Sequence, residues 1–142
     1  LKAGRVGAAA EGVGVAQGAM DMTVDYLKQR KQFGKLIGEF QALQHRAAHL
    51  YSEVEIARAV TIKAAQMLDG GSDKADLMVS VAKAKVAKAA GLAVKEGVQM
   101  HGGIGMTDEY DIGLYMKRDR ALQEFLGDQY YHAGRVADLS GY

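Results

Sequence analysis

The chain has 142 residues, 49% hydrophobic and 25% charged, with a formal net charge of +1; this suits one soluble globular domain and excludes a disordered or polyanion-seeking chain. It contains no cysteine, so disulfides, zinc–thiolate sites and thiol nucleophiles are excluded, and an intracellular, cytoplasmic setting is expected. Proline is also absent, and with abundant Ala, Val and Met the composition predicts an all-α fold.

The amino end, Leu1-Lys2-Ala3-Gly4-Arg5-Val6, has neither a starting Met nor the order of a signal peptide, and reads as cut from a longer chain. From Leu1 to about Arg30, Val6, Ala9, Val13, Ala16, Met20, Val24 and Leu27 recur at steps of three and four, tracing one face of a long helix. Arg5, Glu11, Asp21 and Asp25 interrupt it, so no apolar run reaches the roughly 18 residues of a membrane span. Gly4, Gly7, Gly12, Gly14 and Gly18 share this helix, and their propensity cost predicts close approach of a neighbouring helix or a ligand. The string Gly12-Val-Gly14-Val-Ala-Gln-Gly18 has the wrong spacing, and no preceding strand, for a dinucleotide fingerprint.

Arg30-Lys31-Gln32-Phe33-Gly34-Lys35-Leu36-Ile37-Gly38 loses the period and reads as an ordered connector whose cations follow a helix C-terminus. The stripe resumes at Phe40 with Leu43, Ala47, Leu50, Val54, Ala57, Ala64 and Leu68, and ends at Asp69-Gly70-Gly71-Ser72-Asp73. Ser72 or Asp73 can cap a third helix, whose face runs through Ala75, Met78, Ala82, Val86, Ala89, Ala93, Gly97 and Met100. That helix breaks at Gln99-Met100-His101-Gly102-Gly103-Ile104-Gly105, where glycines expose backbone that can cradle a phosphate or simply stop the helix. A shorter helix is expected from Asp108-Glu109-Tyr110 through Arg118, and a last one, after a break at Gly127, closes near Leu139. The sum is an antiparallel four-helix bundle with the last helix split.

Several chemical patterns have bland readings that outweigh them. His45, His49 and Glu53 share a helical face, but no further ligand converges, so a solvated or interhelical polar strip outranks a metal site. Lys83, Lys85, Lys88 and Lys95 read as a solvated helix surface, and Arg118, Asp119 and Arg120 as surface ion pairs. His101-Gly102-Gly103 matches a lipase oxyanion loop, yet no Gly-x-Ser-x-Gly elbow accompanies it.

Taken together, Leu1-Lys-Ala-Gly-Arg5, Tyr26-Leu-Lys-Gln-Arg30-Lys31-Gln32-Phe33-Gly34, Glu39-Phe40-Gln41, Gln99-Met-His-Gly102-Gly103-Ile-Gly105 and Arg118-Asp119 resemble the carboxyl-terminal helical domain of acyl-CoA dehydrogenases over nearly the whole chain. The resemblance implies that an amino-terminal helical domain and a middle β-domain belong to the complete subunit, with FAD and an acyl-CoA thioester between them. It implies that Arg30, Lys31, Gln32, Phe33 and Gln41 reach across a dimer interface to the adenosine diphosphate part of a neighbour's FAD. Gln99, Met100, His101, Gly102 and Gly103 match the companion loop. Forked guanidinium bonds, amide donors and bare glycine backbone all suit phosphate. Arg5 matches a substrate-side position, and an electron-transfer acceptor and a dimer or dimer of dimers are implied as partners.

The departure from that pattern is the catalytic base. Most of the family carries a Glu-Gly-Thr motif in the final break, where this chain has Leu126-Gly127-Asp128, with Asp128 in place of a flavin-contacting Thr. Other branches place the base just before the position of Arg5, which is Gly4 here. Both usual addresses lack a carboxylate, and Glu124 is expected on another face about half a helical turn away. The stretch Gly103-Ile-Gly-Met-Thr-Asp-Glu-Tyr110 is most similar to small subunits of heteromeric bacterial acyl-CoA dehydrogenases. Three readings follow: a working dehydrogenase module, a catalytically silent flavin-clamping subunit, and a cofactor-free helical scaffold.

Overall fold

The computed structural model describes residues 1–142. Helix α1 runs Lys2–Gln29, α2 Gln41–Asp69, α3 Ala75–His101, α4 Ile112–Glu124 and α5 Gln129–Leu139, with two-residue strands β1 (Lys31–Gln32) and β2 (Lys35–Leu36) between α1 and α2. Cross-helix neighbours give the direction of each helix. A Cβ on Gly12 would meet Val86, and one on Gly97 would meet Thr23, so α1 and α3 run parallel. Arg46 pairs with Glu96 and Glu53 with Lys85, so α2 runs antiparallel to α3. Ile112 lies against Gly97 and Gln123 against Gly91, while Arg135 bonds Ser80 and Asp76. The α4–α5 pair is therefore one split fourth helix descending α3, as the glycine at 127 predicts.

The core is built around α3 and is dominated by small side chains. Ala16, Ala19, Ala57, Ala64, Ala89 and Ala93 are fully shielded, with Leu50, Val54, Val79, Val94 and Ile112 filling the space between them. Burial of a Leu or Val of this kind stabilises by about 1.5 to 3 kcal/mol. Glycines set the interhelical distance only at certain positions: a Cβ at Gly97 would sit 2.5 Å from Ile112 Cδ1, and one at Gly18 would strike the Tyr115 ring at 2.6 Å. Gly7 and Gly14 meet nothing within 4 Å, so of the five α1 glycines these two are approached by no helix of the bundle.

The structure also corrects local expectations. The connector is a β-hairpin with Lys31 opposite Leu36 and Gln32 opposite Lys35. Phe33 (φ 54) and Gly34 (φ 79) form its two-residue turn, the left-handed pair whose twist matches flanking strands. No side chain caps α3: Lys74 is its N-cap residue, and Ser72 Oγ accepts only from the Lys74 N–H at 3.3 Å. Helix α4 begins at Ile112 rather than Asp108, because Gly102–Met106 forms a 3-10 turn and Thr107 Oγ1 accepts the Glu109 N–H at 3.3 Å.

Two glycine substitutions with opposite expected signs check this packing. Gly97→Ala lowers stability by about 1 to 3 kcal/mol through overpacking against Ile112 and Thr23. Gly14→Ala raises it by about 0.5 to 1 kcal/mol, since a helical position with open space gains only propensity. The shift in thermal midpoint of each variant is the measurement.

Candidate functional site: a cleft at the ends of α1 and α3

Two chain breaks meet at one end of the bundle. Helix α1 ends at Gln29 and α3 at His101, and the hairpin and the glycine turn that follow them face each other across a cleft of about 370 Å³. Its lining includes Arg30, Gln32 and Phe33 from the hairpin side and Gln99, Met100, His101, Gly102 and Gly103 from the other, with Tyr26, Phe40 and Arg46. Lys31 and Gln41, expected with this group, do not line it: both are exposed, Lys31 on β1 and Gln41 at the start of α2.

The glycine turn is shaped by its backbone. Gly102 has φ 67 and ψ −147, conformations that essentially only glycine adopts. A Cβ at Gly102 or Gly103 would meet nothing within 4 Å, whereas one at Gly105 would sit 2.9 Å from the Val98 carbonyl oxygen. The first two glycines thus present uncovered backbone, and the third packs the turn onto α3.

His101 supports this turn from below. Its ring is buried, Nδ1–H donates to the Gly97 carbonyl at 2.7 Å, and the ring stacks on Tyr26 at 4.4 Å with Tyr110 edge-on at 5.2 Å. That tautomer leaves Nε2 as an acceptor, buried and without a partner. Leu27, Ile37 and Met100 form an apolar cluster beside it. Tyr26 and Tyr110 were not among the expected site residues, although Tyr26 stands one helical turn before Arg30, a spacing that places them on one face.

The cleft's charge is positive at its rim. Arg30 is exposed and has no carboxylate partner. Lys35 Nζ lies 4.2 Å over the Phe40 ring, and Arg46 is neutralised by Glu96 at 2.6 Å. Phe33 is 91% exposed at the hairpin tip, an apolar group held in solvent by a strained turn.

The remaining expected residues lie elsewhere, around the α4–α5 turn. Gly4 and Leu126 face each other, with a Gly4 Cβ only 3.2 Å from Leu126 Cδ1. Arg5 is 9% exposed, donates from Nη2 to the Tyr131 hydroxyl at 3.2 Å, and has no partner for Nε. Asp128 is the N-cap of α5, accepting the Tyr131 N–H at 2.7 Å. Glu124 pairs with Arg120 at 3.1 Å and lines a separate cleft with His49, Lys88 and Lys95.

Buried polar groups at this turn overturn two sequence expectations. Lys83 is 3% exposed, its Nζ donating to the Leu122 carbonyl at 2.9 Å, and burial lowers its pKa. Asp119 is 5% exposed, accepts from Gln123 Nε2 at 2.7 Å, and burial raises its pKa. Neither is surface chemistry, whereas Arg118 pairs with Glu11 and Arg120 with Glu124 at the surface as expected. Of the His45–His49–Glu53 strip only Glu53 bridges helices, held by Lys85 at 2.6 Å, which lowers its pKa; His45 and His49 are exposed, with His49 3.9 Å from Glu53 on the same helix.

Residues 1–139 match the family model described as acyl-CoA dehydrogenase, C-terminal domain. The chain belongs to the acyl-CoA dehydrogenase family. It is 40% identical, over 82% of its own length, to the short/branched chain specific acyl-CoA dehydrogenase of Bos taurus, mitochondrial, and covers 27% of that relative. Among solved structures it resembles butyryl-CoA dehydrogenase from Megasphaera elsdenii, with TM-score 0.93, 29% identity and coverage of 98% of this chain and 36% of the other. It also resembles a steroid acyl-CoA dehydrogenase named as a Tcur3481–Tcur3483 pair, with TM-score 0.91, 34% identity and coverage of 96% and 37%. The chain thus spans between about a quarter and somewhat over a third of the length of these family members.

The conformation at Gly102 is directly testable. Gly102→Ala costs about 1 to 3 kcal/mol of stability through its backbone alone, since no neighbouring atom obstructs the new methyl. Gly103→Ala, at an equally open position without positive φ, leaves the thermal midpoint nearly unchanged.

Proposed function

We propose that this chain is the flavin-clamping and oligomerisation part of an acyl-CoA dehydrogenase whose complex oxidises an acyl-CoA thioester to the 2,3-enoyl-CoA. The observation that carries the reading is the convergence of Arg30 and Gln32 with Gln99, Gly102 and Gly103 on one cleft. This donor set suits the adenosine diphosphate part of FAD: a guanidinium forks onto pyrophosphate oxygens, the Gln amides supply neutral donors, and uncovered glycines admit close backbone approach. FAD, when bound, supplies the hydride acceptor.

A cleft of about 370 Å³ covers only part of a dinucleotide. The other walls come from the rest of the subunit and from a neighbouring subunit, which makes this end of the bundle an oligomer surface. Arg5, beside Leu126 and Gly4, is the substrate-side residue, and an electron-transfer protein is the partner that reoxidises the enzyme.

A second reading, a flavin-clamping subunit silent in catalysis, is favoured by the Leu126–Gly4 contact. At the point where both usual base addresses meet, the structure has an aliphatic side chain packed on bare backbone. Removal of the α-proton requires a positioned carboxylate, which contributes about 10² to 10⁴-fold. The two-component name of the steroid acyl-CoA dehydrogenase is consistent with a subunit that leans on a partner.

In the full-length protein, Arg30→Ala weakens FAD retention by about 1.5 to 3 kcal/mol, the range for hydrogen bonds to charged groups. Unchanged flavin content after gel filtration would contradict the clamp. Anaerobic titration with saturated acyl-CoA thioesters separates the two readings: the silent subunit holds FAD without bleaching until a Glu-bearing partner is added, while rapid bleaching by the unaided protein would establish an autonomous enzyme.

A further inference from the structure

The α4–α5 turn is held by buried side chains from opposite sides. Lys83, on α3, donates to the Leu122 carbonyl at 2.9 Å, one of the carbonyls in the last turn of α4 that lack a helical partner. His132, on α5 and fully buried, bonds through Nε2 to the Leu126 carbonyl at 3.0 Å. A carbonyl only accepts, so Nε2 carries the proton and the buried, unpartnered Nδ1 is bare. Between these two anchors Leu126 has φ 63 and Gly127 φ 105. A Cβ at Gly127 would strike the Tyr131 ring and lie 2.8 Å from His132 Nε2, so only glycine lets the turn close over the imidazole.

A buried ammonium and a buried imidazole are costly to desolvate, and a surface connection between two helices needs neither. A non-glycine residue at positive φ persists only where its surroundings over-determine it. We infer that His132 and Lys83 are positioning residues that lock the α4–α5 turn, holding residue 126 in a left-handed conformation against Gly4 and beside Arg5. The socket for the side chain at 126 is thereby fixed by α3 and α5 and is independent of which side chain fills it. The chemical meaning of position 126 rests on the proposed function; the locking of the turn does not.

The test is hydrogen–deuterium exchange of the segment 121–132 in the full-length protein, where the Phe125 amide bonds Ala121 in the last turn of α4 and the Tyr131 and His132 amides bond Asp128 in the first turn of α5, on either side of the locked turn. His132→Leu, which removes the donor, speeds exchange in this segment by about two- to tenfold, the range of one net hydrogen bond, with residues 50–64 of α2 unaffected. His132→Gln, whose amide N–H replaces Nε2–H, restores wild-type protection. A Leu variant that exchanges like wild type, or a Gln variant no better than Leu, overturns the inference.

The unsubstituted protein gives an independent reading. Burial lowers the pKa of His132 below its ordinary 6.5, and Arg5 of α1, Lys83 of α3 and Arg135 of α5 face it as cations. Asp119 of α4 and Asp128 of the turn act on Lys83. With the folded pKa depressed, protection is full above 6.5 and is lost as pH falls below it, once intrinsic exchange rates are accounted for. The Gln variant lacks that loss, and wild-type protection that does not change with pH overturns the inference. Flavin content reports on the other end of the bundle, so failure of the lock and failure of the clamp are distinguishable.

Discussion

The contact on which the candidate site depends is the stack of Tyr26 on His101. It joins the last turn of α1 to the last residue of α3 at a ring separation of 4.4 Å. Both helices then release their chains at the same height, Arg30 on one side and Gly102 on the other. Aromatic pairs of this type add about 0.5 to 1.5 kcal/mol beyond area burial, and the Leu27–Ile37–Met100 cluster reinforces the joint. The packing of Thr23 on Gly97 one turn below sets the separation of the two helices, and the stack carries that close contact up to Arg30 and Gly102 at their ends.

The bundle serves its two ends differently. At the α1–α3 end the side chains are short of partners: Arg30 has no carboxylate, His101 Nε2 is bare, and the glycine backbone is uncovered. At the α4–α5 turn the main chain is satisfied by Lys83 and His132, and the gap left by Gly4 is filled by Leu126. Unpartnered buried polar atoms occur at both ends, His101 Nε2 at the first and Arg5 Nε and His132 Nδ1 at the second, so what sets the first apart is its unpaired guanidinium and uncovered glycine backbone.

Much of this was legible in the sequence, for physical reasons. The stripes through Val13, Ala16 and Met20 and through Ala82, Val86 and Ala89 follow the helical period, so helix number, order and buried faces could be read directly. Arg30, Gln32, Gly102 and Gly103 were singled out by the family resemblance, since a cation after a helix C-terminus and a glycine helix stop each have an ordinary structural reading as well. The hairpin was hidden because two-residue strands have no alternation to detect. Lys83 was misread because it lies among other lysines, although it also lies on the buried face between Val79 and Val86. Asp119 and His132 owe their burial to the way α4 and α5 dock on α3, which no local pattern encodes. Tyr26 was visible beside Arg30, but its stacking partner is 75 residues away in the chain (101 − 26).

The most direct measurement of the clamp is an experimental structure of the full-length protein in its assembled, FAD-bound form. The account places the pyrophosphate of a neighbouring subunit's FAD in the cleft, with Arg30 on one side and the backbone of Gly102 and Gly103 on the other. A bound flavin whose phosphates are held elsewhere, with this cleft open to solvent, would contradict it.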